Sequence, residues 1–186
     1  MSFAYILLTL VVVAVVYLVS VYNSLIKNRN LVEEGWSGIE TQLKRRANLI
    51  PNLVETVKGY ASHEREALEA VTILRTQAMS TSDIGERGKK EGELTAALGR
   101  LFAVAEAYPD LKANENFIGL QQDLSDTEDQ VQLARRYYNG TARNMNVLVE
   151  SFPSNLVANY FTFVKAKFFE IEDDQDRAVP QVSFGD

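Results

Sequence analysis

The sequence contains no cysteine and only one histidine among its 186 residues. Without cysteine, disulfide bonds and thiolate metal sites are excluded. Basic side chains are also scarce, since 19 Lys and Arg residues stand against 25 Asp and Glu residues and give a formal net charge of -6. Because a protein that binds phosphate backbones needs a basic face, this balance disfavours nucleic acid as a partner.

The residues that usually mark catalytic sites do not form a recognisable motif. His63 is followed by Glu64, but Ala67 stands where H-E-x-x-H requires a second histidine. The segment "GERGKKEG" lacks the spacing and the preceding strand of a phosphate-binding loop. The serines have no histidine partner that would suggest a hydrolase triad. We therefore predict a protein that is not an enzyme and that has no cofactor and no metal site.

Residues 3–22, "FAYILLTLVVVAVVYLVSVY", form a long run without charge. A helix of about 20 residues spans the roughly 30 Å hydrocarbon core of a bilayer. A cleaved signal peptide would carry a basic start and a small-residue cleavage site, and neither is present here. The sequence predicts a retained transmembrane helix from Phe3 to Tyr22, with the lipid bilayer as a partner.

The charges beside this run predict its orientation. Lys27 and Arg29 follow the apolar run, whereas no Lys or Arg precedes it. Positive charge favours the cytoplasmic side of a membrane. We expect a single-pass protein of the inner (plasma) membrane, with its N-terminus outside and its C-terminal domain in the cytoplasm.

A stripe of apolar residues continues beyond the membrane in steps of three and four, from Leu18 to Ala78. It crosses Pro51 without a change of register. A proline inside a helix removes one hydrogen bond and clashes with the carbonyl group four residues back, here Ala47. The sequence therefore favours one helix that bends at Pro51 and ends near Ala78. The alternative is a break, with two helices meeting at Pro51.

The rest of the chain predicts further helices and no strand of useful length. The glycine-rich segment "STSDIGERGKKEG" is interpreted as a turn, followed by a helix from Leu94 that Pro109 stops. A third helix runs from Asn116 to Phe152, and Pro153 ends it. Its apolar spacing continues through Asn139-Gly140.

Ser154 is the expected N-cap of a short fourth helix, with Leu156, Tyr160 and Val164 on one side. The predicted fold class is all-α, with the transmembrane helix continuing into an antiparallel cytoplasmic helical bundle. The bundle domain spans residues 23–169. We expect residues 170–186 to form an acidic, disordered tail.

Charged residues within the apolar stripe are candidate interface residues. Arg46 belongs to the basic triple Lys44-Arg45-Arg46, and Glu64 is another charge in the stripe. The two lie about 27 Å apart at 1.5 Å per residue, so they cannot pair within one helix. Arg46 is therefore expected to meet a carboxylate on another helix, a second protomer, or anionic lipid. Candidate partners on the third helix are Asp123, Asp126, Glu128 and Asp129.

An aromatic segment near the C-terminus is the second candidate site. Its members are Phe161, Phe163, Phe168 and Phe169. Clustered aromatic side chains are typical of surfaces that dock a partner.

Four sequence blocks resemble the LemA family of bacterial membrane proteins: "YNSLIKNRNLVEEGWS", "QLKRRANLIPNLVETVKGYASHE", "LFAVAEAYPDLKANENF" and "ESFPSNLVANYFTFVKAKFFE". The resemblance implies one N-terminal anchor, a cytoplasmic antiparallel helical bundle and no catalytic activity. Relatives occur in magnetosome formation, and others are encoded beside membrane peptidases or repair-domain proteins. It thus implies a role in assembly at a membrane.

Two functions follow from these observations. The first is a non-enzymatic, membrane-anchored helical scaffold that self-associates as a homo-oligomer and organises partners or membrane shape. The second is a single-pass sensor or adaptor that recruits an enzyme, for example a peptidase, to the membrane. The aromatic segment and the acidic tail would then be the docking element.

Overall fold

The computed structural model describes residues 2–171, and these residues contain six α-helices and no strand. The helices are α1 Ser2–Tyr60, α2 Arg65–Ser80, α3 Ile84–Ala105, α4 Pro109–Lys112, α5 Glu115–Glu150 and α6 Ser154–Tyr160. The predicted all-α fold, with a long apolar N-terminal helix leading into a helical bundle, is confirmed. Most of the predicted acidic tail lies outside the described residues.

The chain divides into two compact units, and α1 and α5 contribute residues to both. Among the described residues, the first unit comprises residues 2–40 with 132–168, and the second comprises residues 41–131 with 169–171. Each unit has its own apolar core. The first core is built on Leu25, Met145, Val157 and Ala158. The second is larger and includes Ile50, Leu53, Val57, Val71, Leu94, Leu101, Leu111 and Phe117.

Helix α1 runs through Pro51 without a break, so the alternative of two helices meeting there is wrong. The apolar stripe predicted a helix that ends near Ala78, but α1 ends at Tyr60. A short turn leads into α2. Ala61 and Leu68 are buried before and after this turn. Apolar residues on both sides of this turn therefore enter the same core. The apolar spacing continues across the turn, so it does not reveal that the chain changes direction there.

Helix α3 covers most of the glycine-rich segment that was predicted to be a turn. Its N-cap is Asp83, whose carboxylate accepts hydrogen bonds from the backbone N–H groups of Gly85 and Glu86. Gly88 and Gly92 lie inside the helix. A Cβ atom on Gly88 would lie 2.0 Å from the carbonyl oxygen of Glu170. These glycines admit the backbone of residues 170 and 171 against α3, so they do not mark a turn.

Helix α6 is shorter than predicted, and Val164 lies outside it. Ser154 is its first residue, and its N-cap is Pro153, one position before the N-cap expected from the sequence. At its end, Thr162 adopts a φ of 60° and the N–H of Phe163 donates to the carbonyl of Ala158 at 2.9 Å. A left-handed residue with this hydrogen bond terminates a helix. The chain then continues without helix or strand to residue 171.

Candidate functional site

A buried ionic cluster is the most unusual polar feature of the second unit. Arg46 of α1 is only 2% exposed. Its Nη1 atom lies 3.1 Å from Glu128 Oε2 of α5 and 3.6 Å from Glu91 Oε2 of α3. Its Nη2 atom donates to Thr95 Oγ1 at 2.5 Å. One arginine thus joins three helices through hydrogen-bonding and charged partners, as a buried charge requires.

The environment of Glu91 is less favourable to charge than that of an exposed carboxylate. Burial raises the pKa of Glu91 above its ordinary value of 4.5, and the negative charge of Glu128 adds to this effect. The positive charges of Arg46 and Arg87 oppose the rise. Desolvation is the largest of these influences on the pKa, so the ionised form of Glu91 is less favourable in this cluster than in water.

A cavity of about 300 Å³ opens beside this cluster. Arg46, Thr95 and Glu128 supply its polar wall, and Leu98, Phe102 and Leu124 supply apolar contacts. The charge of Arg46 is already balanced by its two carboxylate neighbours, so the cavity has no spare positive charge for an anion. Within residues 3–171, no group of three or more His, Asp or Glu side chains is arranged to hold a metal ion.

A second polar contact involves the proline in α1. Pro51 has no N–H, so the carbonyl of Ala47 lacks its usual helical donor. Arg75 of α2 fills this role, since its Nε donates to the Ala47 carbonyl at 2.6 Å. The cost of an internal proline is thus partly offset by a side chain from the next helix.

The other predicted polar residues of α1 and its following turn lie in different surroundings. Glu64 is half-buried and accepts a hydrogen bond from the Tyr108 hydroxyl at 3.0 Å. This hydrogen bond raises the pKa of Tyr108. Lys44 and Arg45 are exposed, as is His63 in the turn after α1. The contacts of Arg46 and Glu64 lie within one chain, and a role for any of these residues between protomers stays a prediction.

The four predicted docking aromatics do not form one surface. Phe169 is fully buried, which makes it a core residue of the second unit and contradicts its use as an exposed docking residue. In the first unit, the rings of Phe161 and Phe163 lie 4.7 and 6.0 Å from the ring of Tyr22. Phe168 keeps 39% of its surface exposed. Docking at the three remaining rings stays a prediction.

Sequence reasoning named Glu128 among the possible partners of Arg46 but missed Glu91, Thr95 and Arg75. Glu91 and Thr95 are spaced four residues apart, so they share one face of a helix. That signal was hidden because the segment containing Glu91 was interpreted as a turn. The partner of Ala47 had a clear signal, since the proline at position 51 requires a donor from elsewhere.

Comparison with known proteins is informative over most of the chain. The family model for the LemA family matches residues 35–184. The protein LemA of Metamycoplasma hominis is 26% identical over 176 residues, which cover 92% of this chain and 80% of the relative.

Magnetosome proteins named MamQ are also similar. MamQ of Magnetospirillum gryphiswaldense is 25% identical over 189 residues, covering 87% of this chain and 70% of the relative. MamQ 1 and MamQ 2 of Paramagnetospirillum magneticum are each 24% identical over 175 residues, covering 80% of this chain. The match spans 64% of each of these two relatives' own length. With one apolar helix that fits a membrane anchor, a helical bundle and a family match over most of its length, this chain belongs to the LemA family.

Proposed function

We propose that this protein is a non-enzymatic, membrane-anchored helical scaffold that self-associates and thereby organises partners or membrane shape. Its N-terminal segment is long and apolar enough to fit a membrane anchor and is not buried by the rest of the chain. The similarity to magnetosome proteins supports a role in assembly at a membrane. Self-association is argued from a different part of the molecule, an exposed face of α5.

The observation that carries self-association is an exposed stripe on α5. Leu133, Tyr137 and Val147 are about half exposed, and Gly140 lies among them at helical spacing. Together these four residues are called the α5 stripe. Apolar side chains that recur every three or four residues on an exposed helix face favour a partner helix. A Cβ atom on Gly140 would meet nothing within 4 Å, so the glycine leaves room for close approach.

The membrane anchor restricts how two copies can meet. Both copies enter the bilayer through the same segment of α1, so their α5 helices run parallel to each other. The stripe of one copy then faces the stripe of the other, with Gly140 opposite Gly140, as in a symmetric interface. Small residues at such a crossing allow two helix backbones to approach closely.

The test is the mass of the full-length protein in lipid nanodiscs, compared with the Gly140→Leu variant. Gly140→Leu improves helix propensity by about 0.5–1 kcal/mol but fills the space for a neighbour. Gly38→Leu is the matched control, because Gly38 is also helical with nothing within 4 Å of its Cβ position. We expect oligomers for the native sequence and Gly38→Leu, and fewer for Gly140→Leu. A monomer of the native sequence at every concentration would overturn self-association.

These nanodisc measurements are best made at raised ionic strength. Arg136 and Arg143 are exposed beside the α5 stripe, so parallel copies bring like charges together. Salt screens exposed charges separated by more than about 10 Å at 0.1 M. Screening should therefore favour the oligomer and make a monomeric result more decisive.

The proposed orientation places the bundle in the cytoplasm and the N-terminus outside, because Lys27 and Arg29 follow the span. The absence of cysteine permits single-cysteine labelling without background. In intact cells, an impermeant maleimide should label Ser2→Cys and leave Ser62→Cys unlabelled. The reverse pattern would overturn the orientation without affecting the scaffold.

The alternative proposal is an adaptor that recruits a membrane peptidase or another enzyme. The exposed part of Phe168 is the observation that favours it. Crosslinking in cells separates the two functions. A stoichiometric enzyme partner would support the adaptor, whereas products that contain only this chain would support the scaffold.

A further inference from the structure

Burial along α1 shows where the helical bundle begins relative to the membrane. Residues 3–20 are all exposed, whereas Val21 and Tyr22 are half-buried and Leu25 is fully buried. Eighteen exposed positions at 1.5 Å each give about 27 Å, slightly less than the roughly 30 Å hydrocarbon core of a bilayer. The edge of the hydrocarbon core therefore lies near Tyr22, where side chains of the first unit already pack against α1.

A chain of aromatic rings connects this level of α1 to α6. The ring of Tyr22 lies 4.7 Å from that of Phe161, which lies 4.9 Å from that of Tyr160. The buried side of α6, formed by Val157 and Ala158, packs in the core that contains Leu25. Helix α6 is thus fixed beside the last turn of the apolar span.

The other side of α6 is apolar and exposed. Leu156 and Tyr160, one helical turn apart, are 60% and 81% exposed. Phe152 just before the helix and Val164 just after it are 80% and 75% exposed. We call these four residues the α6 patch. Aromatic and aliphatic side chains this exposed are unusual on a soluble surface but typical of the membrane–water interface, where tyrosine rings are enriched.

The occupant that best fits the α6 patch is lipid. Tyr160 of the patch is linked through the Phe161 ring to Tyr22, which follows the exposed apolar residues of α1 that the bilayer would cover. Basic side chains also lie near this level: Lys27 is exposed five residues beyond Tyr22, and the guanidinium of Arg29 lies 5.8 Å from the centre of the Phe163 ring. An apolar face next to cations matches the boundary between acyl chains and headgroups.

We propose that the α6 patch is a second membrane-contact surface, which inserts into the interfacial layer of the same leaflet that α1 leaves at Tyr22. This inference rests on the proposed membrane anchor. The first unit would then be held to the bilayer at two points, and its orientation to the membrane would be restricted. A single transmembrane helix would leave it free to tilt.

The native tryptophan makes a direct test possible. The chain has one tryptophan, Trp36, whose ring packs against Tyr138. It lies 14 residues after Tyr22, or about 21 Å along the helix. Trp36→Phe removes this signal, and Tyr160→Trp or Phe152→Trp then places a reporter on the patch. Full-length variants are reconstituted in vesicles that contain brominated phospholipid, which quenches tryptophan only on contact.

Two further proteins serve as controls. The native sequence reports from Trp36, which should not be quenched. Trp36→Phe with Val11→Trp reports from the centre of the apolar span and should be strongly quenched. We expect both patch reporters to show blue-shifted emission and quenching closer to that of the Val11→Trp protein than to that of the native sequence.

The possible failures are distinguishable. If the Val11→Trp reporter is quenched but both patch reporters emit as in water, the α6 patch does not contact lipid and the anchor stands. If the patch emission is blue-shifted but not quenched, a protein surface covers the patch and the lipid proposal is overturned. If the Val11→Trp reporter is also unquenched, the membrane anchor itself is wrong.

Discussion

The Nε atom of Arg75 donates a hydrogen bond to the carbonyl oxygen of Ala47 at 2.6 Å. That carbonyl lies four residues before Pro51, which has no N–H to offer it. A side chain of α2 thus replaces the backbone donor that the proline removes, and α1 continues through position 51. The two residues explain how a helix tolerates an internal proline here.

This replacement predicts energetic coupling between Arg75 and Pro51. Arg75→Leu should destabilise the protein by about 1–3 kcal/mol, because a buried carbonyl loses its donor. In a Pro51→Ala background the backbone supplies that donor, so the same change should cost much less. Denaturant unfolding of the four proteins in this cycle measures the coupling. Additive effects of the two substitutions would show that Arg75 does not serve the proline.

The buried cluster predicts a large effect of Arg46 on stability. Arg46→Leu leaves Glu91 and Glu128 without their shared cation, and removing one partner of a buried ion pair costs roughly 3–5 kcal/mol. Arg45→Leu is the matched control, because the neighbouring Arg45 is exposed and should change stability by less than about 0.5 kcal/mol. Thermal unfolding compares the two variants. Equal melting temperatures would remove the structural role given to Arg46.

The raised pKa of Glu91 predicts a dependence of stability on pH. Glu91 keeps its proton to a higher pH in the folded protein than in the unfolded chain, where the pKa of this carboxyl is near 4.5. Stability from this group is therefore present below the unfolded pKa and is lost as the pH rises through the folded pKa. Glu91→Gln should remove this component of the pH dependence. If the variant and the native sequence have the same pH profile, Glu91 is not the titrating group.

The close packing against α3 predicts opposite effects for two glycines of one helix. Gly88→Ala places a methyl group against the Glu170 backbone, so it should destabilise the protein and release the segment that contains Phe169. Gly99→Ala meets nothing within 4 Å and should stabilise α3 by about 0.5–1 kcal/mol. Hydrogen exchange and thermal unfolding measure both effects. Stabilisation by both substitutions would contradict the packing role of Gly88.

The sequence was sufficient to predict the fold class because apolar spacing and a long uncharged run are local signals. It did not reveal that α1 ends at Tyr60, because Ala61 and Leu68 keep their apolar character across the turn. It also missed the start of α3. Gly88 and Gly92 usually suggest a turn, and only their contact with residues 170 and 171, far away in sequence, explains why they are helical.

The site likewise has one feature that local sequence signals predict and others that depend on packing between helices. The need of Arg46 for a carboxylate follows from its place in an apolar stripe, and Glu128 was among the predicted partners. Glu91 could not be recognised until α3 was placed correctly, because its role depends on packing between helices. The sequence also failed to predict that Phe169 is buried, because an aromatic residue near the C-terminus can be fully buried as readily as exposed. Composition does not separate these two outcomes.

The central claim is that membrane-anchored copies of this chain meet outside the bilayer through the α5 stripe, with Gly140 facing Gly140. Because the native sequence has no cysteine, Gly140→Cys introduces one reactive thiol for each chain. Oxidative crosslinking in native membranes should convert this variant to a covalent dimer of about twice 20.9 kDa, whereas Gly38→Cys should give no covalent dimer although it still self-associates. A Gly140→Cys protein that gives no covalent dimer would contradict the account.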